Sequence, residues 1–138
     1  MKKHAVTLLI LTLVALPGLA SAQTRTVMKA DVPFDFVANG KSMPAGSCTV
    51  TSSGDAITVL QIACGGQKIS ALPNASETLQ PSGENKLVFH RYSGRYFLAG
   101  IERAGESRGY QLPVTGLETE LRASSATESD VVLIASAR

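Results

Sequence analysis

Tryptophan is absent from this chain and histidine nearly so, with His4 and His90 the only two. Cysteine is confined to Cys48 and Cys64. One His and two Cys beyond the N-terminal segment, none at ligand spacing, do not make a zinc site. The acidic residues show no calcium-loop pattern. No glycine-rich phosphate loop follows a strand and opens a helix, and no Gly-x-Ser-x-Gly elbow is present. No metal and no cofactor is therefore expected. The lack of Trp also counts against a stacking platform for sugars. There is no fixed-period repeat and no coiled-coil heptad.

An excess of charge of one sign is lacking too. The precursor is formally +2, but both extra charges lie at the N-terminus. Met1-Lys2-Lys3-His4 is a short basic region, and residues 5–15 form an apolar run broken by two Thr. Pro17-Gly18 ends that run, and Ala20-Ser21-Ala22 has the small-x-small form of a cleavage site. The run is too short for a membrane span, and no Cys follows it to carry a lipid. The expectation is a signal peptide over 1–22, cut after Ala22, leaving 116 of the 138 residues as one domain beginning at Gln23. Export to the periplasm or beyond the cell follows, with no membrane span in the mature chain. Without Lys2 and Lys3, the 13 basic side chains fall to 11, against 11 acidic ones. Such a neutral domain has no bulk electrostatic attraction for nucleic acid.

What remains is β patterning. Residues 28–36 alternate, with Met28, Ala30, Val32, Phe34 and Phe36 on one face and Lys29, Asp31, Pro33 and Asp35 on the other. Pro33 has no N–H for a ladder, so this is an edge strand or one bulged there. Asn39-Gly40 and Pro44-Ala45-Gly46 are turns. Residues 47–51 form a strand with Cys48 and Val50 inward. Residues 57–63 form a more uniformly apolar, more central strand. Gly65-Gly66 turns the chain into 68–72. Residues 73–85 are rich in Ser, Pro, Asn and Glu and read as a flexible loop. Thr115-Gly116-Leu117-Glu118 has capping-box spacing for a short helix over 116–123, with Leu117 and Leu121 on one side. Residues 131–135 suit a last strand buried on both faces. The fold class is all-β, a small sandwich or barrel of about seven strands with at most one short helix.

The densest stretch is 86–101, KLVFHRYSGRYFLAGI, two strands joined at Ser93-Gly94. A two-residue loop pairs Tyr92 with Arg95; a turn with Gly94 in a G1 bulge pairs Arg91 with Arg95. The second is preferred, because Ser is a poor residue for positive φ. It places Leu87, Phe89, Phe97 and Ala99 on one face and Val88, His90, Tyr96 and Leu98 on the other. His90 lacks an evident carboxylate orienter or nucleophile and reads as structural. Candidate binding residues are His90, Arg91, Tyr92, Arg95 and Tyr96, since Arg forks and Tyr rings serve recognition; a solvated turn is the plainer reading. Asp31, Asp35, Glu118 and Glu120 read as solvated polar groups. Asp31 and Asp35 lie about 13 Å apart along a strand, too far for paired-carboxylate glycosidase chemistry.

Cys48 and Cys64 pose two alternatives. Even parity in an exported chain favours a disulfide. A tight hairpin of 47–52 with 56–63 sets Cys48 opposite Leu60 and the two Cα atoms roughly 13 Å apart, beyond bridging. Two buried thiols are then the outcome.

Val32-Pro33-Phe34-Asp35-Phe36, Pro44-Ala45-Gly46, Leu87-Val88-Phe89-His90-Arg91-Tyr92 and Arg95-Tyr96-Phe97-Leu98, in this order, resemble short secreted β-domain proteins of acidobacteria and similar soil bacteria. The likeness spans roughly 28–122. It implies secretion and a compact β domain, and transfers no catalytic residue. The chain departs from that pattern at Cys48, where the family commonly has an aromatic, and at Arg108-Gly109-Tyr110-Gln111. The functional expectation is a non-catalytic exported domain with a structural or binding role toward an envelope or extracellular partner. The alternative is a small carbohydrate-binding or hydrolytic protein acting through the 90–96 hairpin tip. Tyr92, Tyr96 and Tyr110 on one concave surface would favour sugar binding.

Overall fold

A computed structural model describes residues 23–54 and 58–124, together with the backbone of 130–135. The expected signal peptide, Ile57 and most of the polar link before the last strand lie outside the described residues. Among the described residues there are eleven strands and one helix. In order they are β1 (Thr24–Val32), β2 (Phe36–Ala38), β3 (Lys41–Met43), β4 (Gly46–Ser53), β5 (Val59–Cys64), β6 (Gln67–Ala71), β7 (Asn74–Glu77), β8 (Lys86–Tyr92), β9 (Arg95–Glu102), β10 (Arg108–Gln111), α1 (Gly116–Ser124) and β11 (Asp130–Ala135). The count exceeds the expected seven because β2, β3, β7 and β10 have only three or four residues each. Runs that short carry almost no alternation to read.

One sheet has the order β1-β4-β5-β6 and the other β11-β8-β9-β10-β7, with β2 joined to β9 and β3. Neither closes into a barrel, so the fold is a sandwich. Met28, Ala30, Val32, Cys48, Val50, Leu60 and Ile62 from the first sheet meet Phe36, Leu87, Phe89, Leu98 and Ile101 from the second in one core.

The run 28–36 is not one strand. β1 is an edge strand, and it ends at Val32, just before Pro33. The chain then crosses to the other sheet, where β2 pairs in parallel with β9 through Phe36↔Tyr96 and Val37↔Phe97. The Asp35 carboxylate accepts from the Ala45 N–H at 2.8 Å and pins this corner. Alternation survives the crossing because Phe36, like Val32, points into the core. At the opposite edge of the first sheet, Asn39 Nδ2 donates to the Ser70 carbonyl at 3.0 Å. Lys41 Nζ donates to the Lys68 carbonyl at 3.5 Å. Both side chains come from the β2–β3 hairpin and blunt the exposed edge of β6.

The stretch 73–85 is not simply a loop. β7 within it pairs with β10, from Gln111↔Asn74 to Arg108↔Glu77. Its side chains are mostly exposed, so no hydrophobic pattern marks it. The remainder is tied down by Thr78 N–H to the Ser107 carbonyl and Gly105 N–H to the Ser82 carbonyl, each 2.8 Å. Gly109 lets β10 approach, since a Cβ there would stand 2.6 Å from the Ile101 carbonyl oxygen.

The β8–β9 hairpin takes the register that was not preferred. Tyr92 pairs with Arg95, and Ser93 and Gly94 both have positive φ, 49° and 77°, as a type I′ turn requires. The irregularity falls instead near Val88 and Phe89, where Val88↔Gly100 is followed by Phe89↔Leu98. Ala99 is the extra residue, and it allows Leu98 and Ile101 both to face the core. Phe89 and Phe97 are both buried, but on opposite faces. Phe97 shares the outer face with His90, Tyr92 and Arg95, and α1 packs on β8. β11 lies outermost beyond β8, with Val132↔Phe89; the burial expected of its side chains lies outside the described residues.

Candidate functional site

Strand alternation separates the five residues proposed at the hairpin tip. His90, Tyr92 and Arg95 lie on the outer face, and Arg91 and Tyr96 on the inner. Tyr92 is only 6% exposed, with its ring 6.0 Å from that of Phe97. It is a packing residue, not a recognition residue. Tyr96 stacks on Phe34 at 3.8 Å, and the Arg91 guanidinium lies 5.7 Å from the Tyr96 ring. Tyr110 is at the far end of β9, beneath Arg103. The three tyrosines therefore line no common concave surface, and the sugar platform that would have favoured the carbohydrate reading is not formed.

Two features do form around this hairpin. The first is a groove of about 520 Å³ whose walls include Asp35, Phe36, Ser42, Arg95, Tyr96 and Leu117. It runs between the β2–β3 hairpin, the β8–β9 turn and α1. The Asp35 carboxylate in its wall is occupied by the Ala45 N–H. The Arg95 side chain is exposed and makes no hydrogen bond or ion pair among the described residues. Leu117, 40% exposed, adds apolar surface. A fixed apolar wall and an available guanidinium can hold an amphipathic partner group.

The second is a pair the sequence concealed. His90 Nδ1 stands 3.4 Å from Glu118 Oε1, across 28 residues. Glu118 is 4% exposed, against the expectation of a solvated carboxylate. Leu117 and Leu121 share one side of the helix, but it is Glu118 that is buried, with Leu121 half-buried and Leu117 left in the groove wall. Nor does the capping box close. The Thr115 carbonyl accepts the first helical bond from Thr119 N–H at 2.9 Å, while the Thr115 hydroxyl is buried without a partner. Nothing local in the sequence marks Glu118 as a partner of His90.

A histidine oriented by a carboxylate is two-thirds of a nucleophilic triad. Among the described residues no hydroxyl bonds His90 to serve as the third member, and both cysteines are joined in a disulfide. The pair instead fastens α1 to β8. His90→Ala is expected to cost about 1–3 kcal/mol, because it leaves the buried carboxylate unsatisfied. Glu118→Gln should cost less, since an amide oxygen still accepts from the ring. Urea melts of the two variants check this; equal stability of His90→Ala and the unaltered protein would remove the pair from the account. Among the described residues no group of three or more His, Cys, Asp or Glu could hold a metal ion. No helix of the described residues is long and apolar enough to cross a membrane.

No family model, no curated protein and no solved structure matches this chain.

Proposed function

We propose that this chain is an exported, non-catalytic β domain with a binding role in the cell envelope, and that it meets its partner through the groove beside the β8–β9 turn. The carrying observation is that groove, in which Arg95 is available among the described residues while Leu117 and Tyr96 supply apolar surface. The partner group that fits is a carboxylate-bearing segment with an adjoining apolar side chain. The His90–Glu118 pair, which joins β8 to α1 and has no nucleophile beside it among the described residues, supports a structural use for the one histidine of the domain. The basic, apolar and small-residue sequence of 1–22 supports export, as does the disulfide, a bond of oxidising compartments. The likeness to short secreted acidobacterial proteins supports the same compartment.

Two measurements test the reading. N-terminal sequencing of protein from the envelope fraction is expected to start at Gln23; a start at Met1 would overturn export. A photo-crosslinking residue at Ser42, in producing cells, is expected to give a discrete adduct. That adduct should disappear with Arg95→Glu and persist with Arg25→Ala, which lies elsewhere. An adduct indifferent to Arg95→Glu, or none, would overturn binding through the groove.

A further inference from the structure

A second hollow, of about 330 Å³, is lined by Asn39, Ser70, Ala71, Leu72 and Pro113. It adjoins the groove at the β2–β3 turn, where Asn39 lines the hollow and Gly40 the groove. Residues 113–117 likewise run from one to the other, with Pro113 in the hollow and Leu117 in the groove. Between the two, turn and segment touch, since a Cβ at Gly40 would stand 3.8 Å from Thr115 Cγ2. Hollow and groove are therefore the two ends of one furrow, with the turn on one side and residues 113–117 on the other. The Gly40–Thr115 contact is its saddle. Exposed apolar surface gathers along it. Four large apolar side chains are exposed among the described residues, Leu72, Leu79, Val114 and Leu117. All but Leu79 belong to the furrow's ends or to its 113–117 side, and Leu72 is 60% exposed. Apolar residues scattered singly are normal on a monomer, whereas a contiguous set marks an interaction surface. The two ends differ in charge. Arg95 stands in the groove wall, while no charged residue lines the second hollow. There Asn39 Nδ2 is spent on the Ser70 carbonyl, so Leu72 and Pro113 set its character.

We propose that the whole furrow takes an extended peptide segment of the partner, with an acidic residue at the Arg95 end and an apolar side chain seated on Leu72 and Pro113. This second anchor rests on the groove being the partner's site, as proposed above. One side chain cannot serve both ends, because the Gly40–Thr115 saddle stands between them. An extended segment crosses the saddle, where Gly40 raises no side chain against it. The furrow is open to solvent and edged by Ser42, Asn39 and Ser70. That suits a peptide, which brings its own backbone donors and acceptors. It does not suit an acyl chain, which needs enclosure in apolar walls.

The probe is a phage-displayed library of random peptides, selected on the purified protein. Selected peptides are expected to share an Asp or Glu and, a few residues away, a Leu, Ile, Val or Phe. Made synthetically, they should bind Leu72→Ser about tenfold more weakly, the loss of one apolar contact. Arg95→Glu should weaken them further. Leu79→Ser, which removes a more exposed leucine outside the furrow, should change nothing. All three positions are exposed, and urea melts matching the unaltered protein confirm that the variants fold. Peptides that need Arg95 but bind Leu72→Ser unchanged would overturn the second anchor and leave the groove standing. Peptides indifferent to Arg95→Glu would overturn the anchor and the groove together. If no peptide is selected, the peptide assignment falls, and the Ser42 adduct alone decides the groove. A dimer of this chain in sedimentation that Leu72→Ser dissolves would give the furrow to a second copy and overturn the proposal.

Discussion

Phe89→Ala is expected to leave the domain marginal or unfolded at room temperature. Phe89 is fully buried between the sheets. Its ring meets Phe34 and Phe36 edge to face, both at 5.2 Å between centroids. Truncating a buried Phe costs about 3–5 kcal/mol, and each aromatic pair adds about 0.5–1.5 kcal/mol beyond area alone. A domain of this size has about 5–15 kcal/mol in total. Phe97→Ala removes a ring of the same size from the outer face, where it packs with Tyr92 away from the main cluster. It should loosen α1 before the sheets, so amide exchange over 116–124 should rise ahead of exchange over β4 and β5. Arg95→Ala, at an exposed position, should stay within about 0.5 kcal/mol. Arg91→Ala should cost a little more, about 0.5–1 kcal/mol, for its contact with Tyr96. Denaturant melts of the four variants rank them. Phe89→Ala within 1 kcal/mol of the unaltered protein would mean that the two sheets do not meet at this ring.

The sequence made the inward residues legible and left their partners hidden, for one physical reason. Burial has period two along a strand, so any change that conserves the face leaves the pattern untouched. The sheet switch at Pro33 conserves it, and 28–36 therefore looks like one strand although two sheets share it. The β8–β9 turn does not conserve it: the two-residue loop shifts β9 by one residue from the preferred register, so Phe97, expected beside Phe89, pairs with His90 on the opposite face. Turn chemistry was legible at Asn39-Gly40 and Gly65-Gly66, where both residues take positive φ readily. It misled at Ser93, because a hairpin with enough cross-strand packing holds a serine at φ 49°. Glu118 was the least accessible residue of all. Its burial depends on how a short helix is rotated, which two leucines four apart do not settle: Leu121 is half-buried and Leu117 exposed.

Loss of the Cys48–Cys64 disulfide is expected to cost about 3 kcal/mol, the value for a closed loop of this length in the chain-entropy model. The bond joins residues 16 apart in sequence. The tight hairpin that would have kept the two apart is not the one formed. β4 and β5 pair with Ser52↔Leu60 and Cys48↔Cys64, a four-residue slip from the pairing of Cys48 with Leu60. The slip follows from where the ladder ends, since Ser53 pairs with Val59, five residues lying between them in sequence. Being even, it keeps Cys48 and Val50 inward in either register. The two Cα atoms stand 4.3 Å apart, close to the narrow, non-hydrogen-bonded pair of an antiparallel ladder. Both cysteines are buried, so a reductant acts only through opening of the sheet. The test compares urea midpoints of oxidised protein, protein reduced while unfolded and then refolded, and the Cys48→Ala/Cys64→Ala variant. The first should exceed both others, and reductant should leave the double variant unchanged. Two free thiols by mass spectrometry in protein recovered from the envelope, or equal midpoints for all three, would show that the ladder closes without the bond.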